Sequence, residues 1–491
     1  MYKVTVFPGE QVFSAQPGEN LYRLLLREGL SPAAPCGGTG KCGKCMVQVN
    51  GVFRAACKTE IAGDITVVLP DAENMRILTE SASVTASHCP LVPGYAAVFD
   101  IGTTTLCCYL LDAHEGREIA SRAMPNPQRA AGADVVSRIR LACRGQMDGL
   151  TRGIREAMER LLLGCCREAG VAPEEVRLIC PVGNPAMQQL FLGILPQNLI
   201  SIPFRPVLDR AEMRECGDLL PGFSRAKLMI VPDISAYVGA DTLGCILSQG
   251  LHRTDETVLL VDIGTNGEMV LAHGGRLAAC ATAAGPALEG AEISCGMTAC
   301  PGAIDRVWAE KGRFEYHVIA EGPARGICGS GLIAAAAAAL DLDVMNFRGK
   351  LTIDALEPAP GILLTQEDIR KLQLAKGAIR AGIEILCGHF HIRPADIRQV
   401  LLAGAFGSFL DPRSACRIGL LPPELLNRIR SVGNAAGAGG KLLCTDREAF
   451  DSLPELMDRV ETVDLAAHRD FAKTFALAMR FPPREEWEDI Q

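Results

Sequence analysis

Val258-Leu259-Leu260-Val261-Asp262-Ile263-Gly264-Thr265-Asn266-Gly267-Glu268 is the stretch on which the reading of this 491-residue chain turns. An apolar strand runs into Asp-Ile-Gly-Thr, and a second apolar run, 269–272, follows directly. The same grammar stands earlier, in Ala96-Ala97-Val98-Phe99-Asp100-Ile101-Gly102-Thr103-Thr104-Thr105 with the apolar run 106–111 behind it. Strand, turn and strand of this composition suit a phosphate clamp. Glycine lets the turn approach a phosphate, threonine hydroxyls and turn amides donate to its oxygens, and an aspartate at the strand end holds hydrated Mg²⁺. One such turn arises by chance. Two in matching context mark an internal repeat, and so two related halves.

Outward from the repeat, residues 96–256 and 257–480 read as two α/β halves. The paired hairpins resemble the signature of the actin-like (ribonuclease H-like) ATPases, the superfamily of acetate and sugar kinases, Hsp70 and actin. That resemblance implies two lobes that face each other across a cleft and grip the β- and γ-phosphates of ATP, with a hinge between them. Leu401-Leu402-Ala403-Gly404-Ala405-Phe406-Gly407 follows a predicted helix and strand and resembles the superfamily's adenosine-binding segment.

Ahead of the repeat the chain changes character. Lys3-Val4-Thr5-Val6-Phe7 alternates as a half-buried strand does, Pro8-Gly9 turns, and Val12-Phe13-Ser14-Ala15 returns. Asn20 is a candidate N-cap for a helix carrying Leu21, Leu24 and Leu25 on one face and ending at Gly29. Strands are expected at 46–49 and 65–69, which together describe a small β-grasp domain over 1–72. Cys36, Cys42, Cys45 and Cys57 give the spacing C-x5-C-x2-C-x11-C among glycines and lysines. Four thiolates are the ligand count of a 2Fe–2S cluster, and glycines let a loop wrap it and aim amides at its sulfurs. The pattern resembles that of ferredoxins with the C-x5-C-x2-C…C spacing. Structural zinc is the competing reading, but its ligands come as two separated C-x2–4-C pairs, which a first gap of five does not supply. Gly38-x4-Gly43-Lys44 imitates a P-loop until Cys45 stands where Ser or Thr would bind magnesium, so that motif is set aside. Residues 70–94, rich in Ser and Thr and closed by two prolines, read as a connector, and the linker proper is placed at 73–95.

Composition excludes several classes. A net charge of −8 argues against nucleic acid or an anionic membrane as partner. The first ten residues lack a signal-peptide pattern, and the apolar run 332–340 is too short to span a bilayer, so a cytoplasmic protein is expected. Of 20 cysteines, 16 are scattered, mostly among apolar neighbours as small core residues, which fits a reducing compartment rather than a disulfide framework.

Fusing a one-electron carrier near about −400 mV to a phosphate clamp suggests an ATP-gated electron donor. Driving an electron uphill by 100 mV costs about 2.3 kcal/mol, within the ~1–3 kcal/mol that coupling between two ligands supplies. The chain resembles the reductive activators of corrinoid-dependent enzymes over nearly its whole length. The likeness extends through Asn126-Pro127-Gln128, Gly132-Ala133-Asp134-Val135, Ser137-Arg138-Ile139, Val182-Gly183-Asn184 with Met187, Ile202-Pro203-Phe204, Gly239-Ala240-Asp241, Gly285-Pro286-Ala287-Leu288-Glu289-Gly290, Gly296-Met297, Gly329-Ser330-Gly331 and Gln373-Leu374-Ala375-Lys376-Gly377-Ala378-Ile379. It implies an activator that passes single electrons from a 2Fe–2S cluster on Cys36, Cys42, Cys45 and Cys57 to a Co(II) corrinoid protein and restores Co(I). Asp100 and Asp262 would position Mg²⁺ and water. Gly102, Thr103, Thr104, Thr105, Gly264, Thr265 and Asn266 would hold phosphates, and Gly404, Ala405 and Phe406 would lie along the adenosine. Asp241 and Glu289 could also reach the cleft, although acidic residues beside glycine more often form turns. Cys295, Cys300, His389 and His391 read as structural. Longer members of the family carry a further linker and middle domain, where only residues 70–94 lie here. This departure leaves dimerisation open, with a homodimer compatible, and the low-potential donor is not written in the sequence.

Three other readings stand at this stage. An activator of 2-hydroxyacyl-CoA dehydratases would share the ATPase part but hold one 4Fe–4S cluster between two subunits. A nucleotide-gated redox sensor would deliver no electron. A small-molecule kinase with an accessory cluster would phosphorylate an added acceptor.

Overall fold

Three sheets organise the chain in the computed structural model, which describes residues 1–7, 11–28, 30, 38, 40, 45–69, 90–132 and 134–488. The first sheet is small and mixed. Its strands are β1 (Tyr2–Phe7), β2 (Gln11–Ala15), β3 (Met46–Val49), β4 (Val52–Ala55) and β5 (Ile65–Val68), in the order β2-β1-β5-β3-β4. β1 and β5 run parallel at the centre and the outer pairs are antiparallel. Helix α1 (Leu21–Arg27) is capped by Asn20, whose side chain accepts from the Arg23 amide, and it buries Leu21, Leu24 and Leu25 against Val4, Val6, Val47 and Val67. The N-cap, the apolar stripe and the strand alternation follow the sequence reading. The expected helix stop at Gly29, the Pro8-Gly9 turn, Cys36, Cys42, the P-loop-like Gly43-Lys44 and connector residues 70–89 lie outside the described residues.

The second sheet is built from β6 (Tyr95–Ile101), β7 (Thr105–Asp112), β8 (Arg117–Pro125), β9 (Val176–Gly183), β10 (Glu212–Glu215) and β11 (Lys227–Ile230), in the order β10-β11-β9-β6-β7-β8. Between its strands come α2 (Val135–Leu141), α3 (Met147–Ala169) and α4 (Pro185–Leu192), and α5 (Ala240–Ser248) leads out of it. The third sheet has β12 (Val258–Ile263), β13 (Gly267–His273), β14 (Arg276–Thr282), β20 (Gln399–Ala403), β21 (Ile429–Gly433) and β22 (Val460–Thr462), in the order β21-β20-β12-β13-β14-β22. The stretch between β14 and β20 holds the small strands β15 (Ala303–Glu310), β16 (Arg313–Val318), β17 (Gly326–Ile327), β18 (Leu356–Ala359) and β19 (Ile362–Leu364), and helices α6 (Gly329–Asp341) and α7 (Gln366–His389). Helices α8 (Gly404–Phe409) and α9 (Pro412–Arg417) follow β20, and α10 (Ala435–Thr445) follows β21.

The repeat in the sequence is a repeat in topology. β11-β9-β6-β7-β8 and β21-β20-β12-β13-β14 share one pattern: parallel, parallel, antiparallel, antiparallel. Central strands β6 and β12 are covered on both faces, which is why they read as near-continuous apolar runs. In register, Asp100 pairs with Val182 of β9 and Asp262 with Ala403 of β20, so the two aspartates occupy equivalent points at the ends of equivalent strands.

Helices α5 and α10 pack on each other between the two sheets, in one core that draws Val98 and Cys180 from the first half and Leu260 and Val270 from the second. Although α10 follows β21 of the third sheet in sequence, it lies against β6 and β9 of the second. At the far side of the third sheet, Gln373 and Lys376 of α7 donate to the carbonyls of Met479 and Arg480. The Gln373–Gly377 motif thus seats the C-terminal segment rather than the cleft.

Candidate functional site

Both Asp-Ile-Gly-Thr turns open onto one cleft between the halves. Asp100, Gly102, Thr103, Thr104, Thr105, Asp262, Gly264, Thr265, Asn266, Gly404 and Phe406 all line it, and Ala405 lies between the last two at the start of α8. Thus the sequence-predicted residues of 96–406 meet in one place. Asp241 and Glu289, which the sequence left as turn formers or cleft residues, line it too.

The first turn is held by the family-like segments that follow it. Asn126 donates from Nδ2 to the Gly102 carbonyl at 2.8 Å and from its amide to the Thr104 carbonyl at 2.9 Å. Arg138, fully buried, donates to the Thr103 carbonyl at 2.6 Å and to the Gly132 carbonyl at 2.9 Å. Asn184 caps α4 through the Met187 amide and donates to Thr103 Oγ1 at 3.1 Å. Three successive carbonyls are therefore tied back into the lobe. Burial lowers the Arg138 guanidinium to about 10, with Arg129 pushing it down further. The second turn closes more simply, through Gly264 N to Asn266 O at 2.8 Å and Gly285 N to Thr265 O at 3.0 Å.

The floor of the cleft is crowded with carboxylates. Burial pushes Asp100 up to about 7, and Asp241 adds to that while an Asn434 hydrogen bond opposes it. Burial, then Asp241 and Asp100, push Asp262 up to about 7. Burial raises Asp241 to about 6, and Glu268, across the ladder from Asp262, is raised by burial and by both Asp241 and Asp262. Carboxylates gathered against their own repulsion favour a divalent cation nearby, although among the described residues no three of them converge as a ready-made metal site. Gly404 belongs to this arrangement by necessity: its φ is +80°, and a Cβ there would stand 2.5 Å from Asp262 Oδ1.

Sequence reasoning missed Asn434. It caps α10 by accepting from the Gly437 amide at 2.7 Å, while its Nδ2 donates to Asp100 Oδ2 at 2.8 Å and to the Tyr109 hydroxyl at 3.0 Å. Lys441, about two turns further along α10, sits 4.2 Å over the Tyr109 ring and pairs with Glu118. The only signal was the Asn-Ala-Ala-Gly-Ala-Gly-Gly run of small residues, which does not say what it packs against.

In the N-terminal domain, Cys45 Sγ and Cys57 Sγ stand 3.1 Å apart, and the Cys57 amide donates to Cys45 Sγ at 3.4 Å. That separation is far beyond a disulfide bond. Two thiols facing each other with an amide aimed at one sulfur fit one face of an iron–sulfur site. Among the described residues no group of three or more His, Cys, Asp or Glu converges as a metal site, and the other two predicted cysteines, Cys36 and Cys42, are outside them. Cys295 and Cys300 are half-buried, and His389 pairs with Glu461 at 2.8 Å. Among the described residues no helix is long and apolar enough to cross a membrane.

Two family models match the chain. One, described as the C-terminal domain of RACo, the ASKHA domain, covers residues 256–490. The other, described as the RACo middle region, covers 95–254. The middle region, expected from the sequence to be missing, is therefore matched within the chain, on the half that shares its strand order with the ASKHA domain. The corrinoid activation enzyme RamQ of Eubacterium limosum is 32% identical over 423 residues, 79% of this chain and 70% of that protein. A Methanosarcina barkeri protein described as [Co(II) methylated amine-specific corrinoid protein] reductase is 27% identical over 401 residues, 74% of this chain and 73% of its own length. Among solved structures, a reductive activator for corrinoid, iron-sulfur protein superposes with a TM-score of 0.73 at 25% identity, covering 98% of this chain and 99% of that one.

Proposed function

The chain belongs to the RACo family of corrinoid activators, and on that premise we propose that it is an ATP-dependent reductive activator returning a Co(II) corrinoid protein to Co(I). The observation that carries this reading is the joining, in one chain, of a facing cysteine pair to a cleft closed by two phosphate-type turns. A 2Fe–2S cluster on Cys36, Cys42, Cys45 and Cys57 would supply electrons one at a time at low potential. The Co(II) corrinoid protein is the substrate that accepts them, and a low-potential carrier of the same cytoplasm replenishes them.

In the cleft, the turns at Gly102, Thr103, Thr104 and Thr105 and at Gly264, Thr265 and Asn266 present amides and hydroxyls to the phosphates of ATP. Asp100 and Asp262 are the residues that would hold hydrated Mg²⁺ against the phosphates. Gly404, Ala405 and Phe406 border the adenosine. Because the turns belong to different lobes, a nucleotide that engages both changes the angle between them, and α5 and α10 are the elements that carry that change. ATP therefore contributes the free energy that makes an unfavourable electron transfer run.

The test is anaerobic absorbance spectroscopy on a Co(II) corrinoid protein encoded beside this gene, with catalytic amounts of this protein, a low-potential reductant, and Mg-ATP present or absent. Co(I) appears only with ATP and fails to appear with Cys42→Ala. ATP hydrolysis without Co(I), across several corrinoid partners, would sink the reading.

A further inference from the structure

Glu289 joins the two phosphate turns. Thr104 Oγ1 of the first half donates to Glu289 Oε2 at 2.8 Å, and Thr265 Oγ1 of the second donates to Glu289 Oε1 at 2.9 Å. One carboxylate thus spans the cleft, one oxygen to each lobe, and it does so with hydroxyls assigned above to phosphate.

Two physical facts make this a competition. A threonine hydroxyl has one proton, so while it donates to Glu289 it cannot donate to a phosphate oxygen. A carboxylate beside a polyphosphate also repels it, strongly in a partly buried cleft. Two guanidiniums of the segment after β8, Arg129 and Arg138, lie within electrostatic reach of it. Arg138 is committed to the carbonyls of Gly132 and Thr103 and to Met187 Sδ. Arg129 forms no ion pair among the described residues, and burial pulls its guanidinium down from the ordinary value while Glu289 holds it up.

We propose that Glu289 is an internal competitor of ATP: its carboxylate holds the Thr104 and Thr265 hydroxyls until the phosphate chain takes them. Glu289 is in this sense a specificity-determining residue. A nucleotide whose phosphates reach both hydroxyls must displace the carboxylate, and one that reaches a single turn leaves half of the bridge in place. ATP and ADP are separated by that exchange. The proposal rests on the cleft being the ATP site.

The experiment measures the affinity of the full-length protein for the Mg²⁺ complex of a non-hydrolysable ATP analogue, and for Mg-ADP, by calorimetry. Glu289→Ala tightens the ATP analogue about tenfold or more and ADP by less, and the isosteric Glu289→Gln falls between Ala and wild type. Unchanged or weaker analogue binding in both Glu289 variants overturns the proposal and leaves the ATP reading standing. Failure of every protein, wild type included, to bind either nucleotide overturns the ATP reading and the competitor with it.

Discussion

Asn434 Nδ2 donates to Asp100 Oδ2 at 2.8 Å, a contact made across 334 residues of chain. The same amide caps α10 and bonds the Tyr109 hydroxyl, so one side chain fixes a helix, an aromatic ring and the aspartate of the first phosphate turn. Asp100 is presented from β6 in the first half, and Asn434 arrives from the second half of the chain.

Asn434→Ala should cost activity and stability by separable routes. Loss of the N-cap removes about 1–2 kcal/mol from the stability of the protein. Loss of a hydrogen bond to a charged group, at about 1.5–3 kcal/mol, lowers the ATPase rate roughly tenfold or more. Steady-state ATPase assays and thermal melts read the two effects, and an unchanged rate would show that Asp100 needs no such support.

The carboxylates of the floor make stability depend on pH in a defined direction. Asp100 and Asp262 are pushed up to about 7 in the folded protein. The folded state therefore binds more protons than the unfolded one from about pH 4 to about pH 7, and stability falls as pH rises through that window. In the presence of a chelator, wild type should melt lower at about pH 8 than at about pH 5.5. Asp262→Asn should narrow that difference and melt above wild type at the higher pH, while losing ATP hydrolysis. Added Mg²⁺ should restore wild type and do little for the variant.

Gly439 of α10 lies where a Cβ would stand 2.1 Å from the Gly244 carbonyl oxygen of α5. Neither helix backbone can yield locally, so Gly439→Ala forces the pair apart. Overpacking of this kind costs about 1–3 kcal/mol. Because α5 carries Asp241 and α10 is capped by Asn434, nucleotide affinity should fall together with the melting temperature. Calorimetry beside circular dichroism checks this, and a variant that melts normally with normal affinity would remove the α5–α10 contact from the account.

Cysteine variants should divide the protein into two functions. Cys57→Ser, at 3.1 Å from Cys45 Sγ, should lose most iron and sulfide and the visible absorbance of the cluster. ATP hydrolysis should persist, since the cleft draws no residue from the first sheet. Anaerobic iron analysis with an ATPase assay on the same sample decides it, and loss of hydrolysis alongside the cluster would mean that the two parts depend on each other.

The sequence by itself determined the repeat, the strands that carry it and the residues of both turns. These are local matters: an apolar strand, a glycine that must turn and hydroxyls beside it are fixed by neighbours in the chain. It also set the cysteine spacing and the Asn20 cap for the same reason. Tertiary structure alone decided that α10 crosses back to the second sheet, that Asn126 and Arg138 clamp the carbonyls of the first turn, and that Glu289 reaches a threonine on each lobe. Those contacts join residues far apart in the chain. Their partners are chosen by how two sheets pack around a pair of helices, and no periodicity in the chain encodes a partner that lies 185 or 334 residues away.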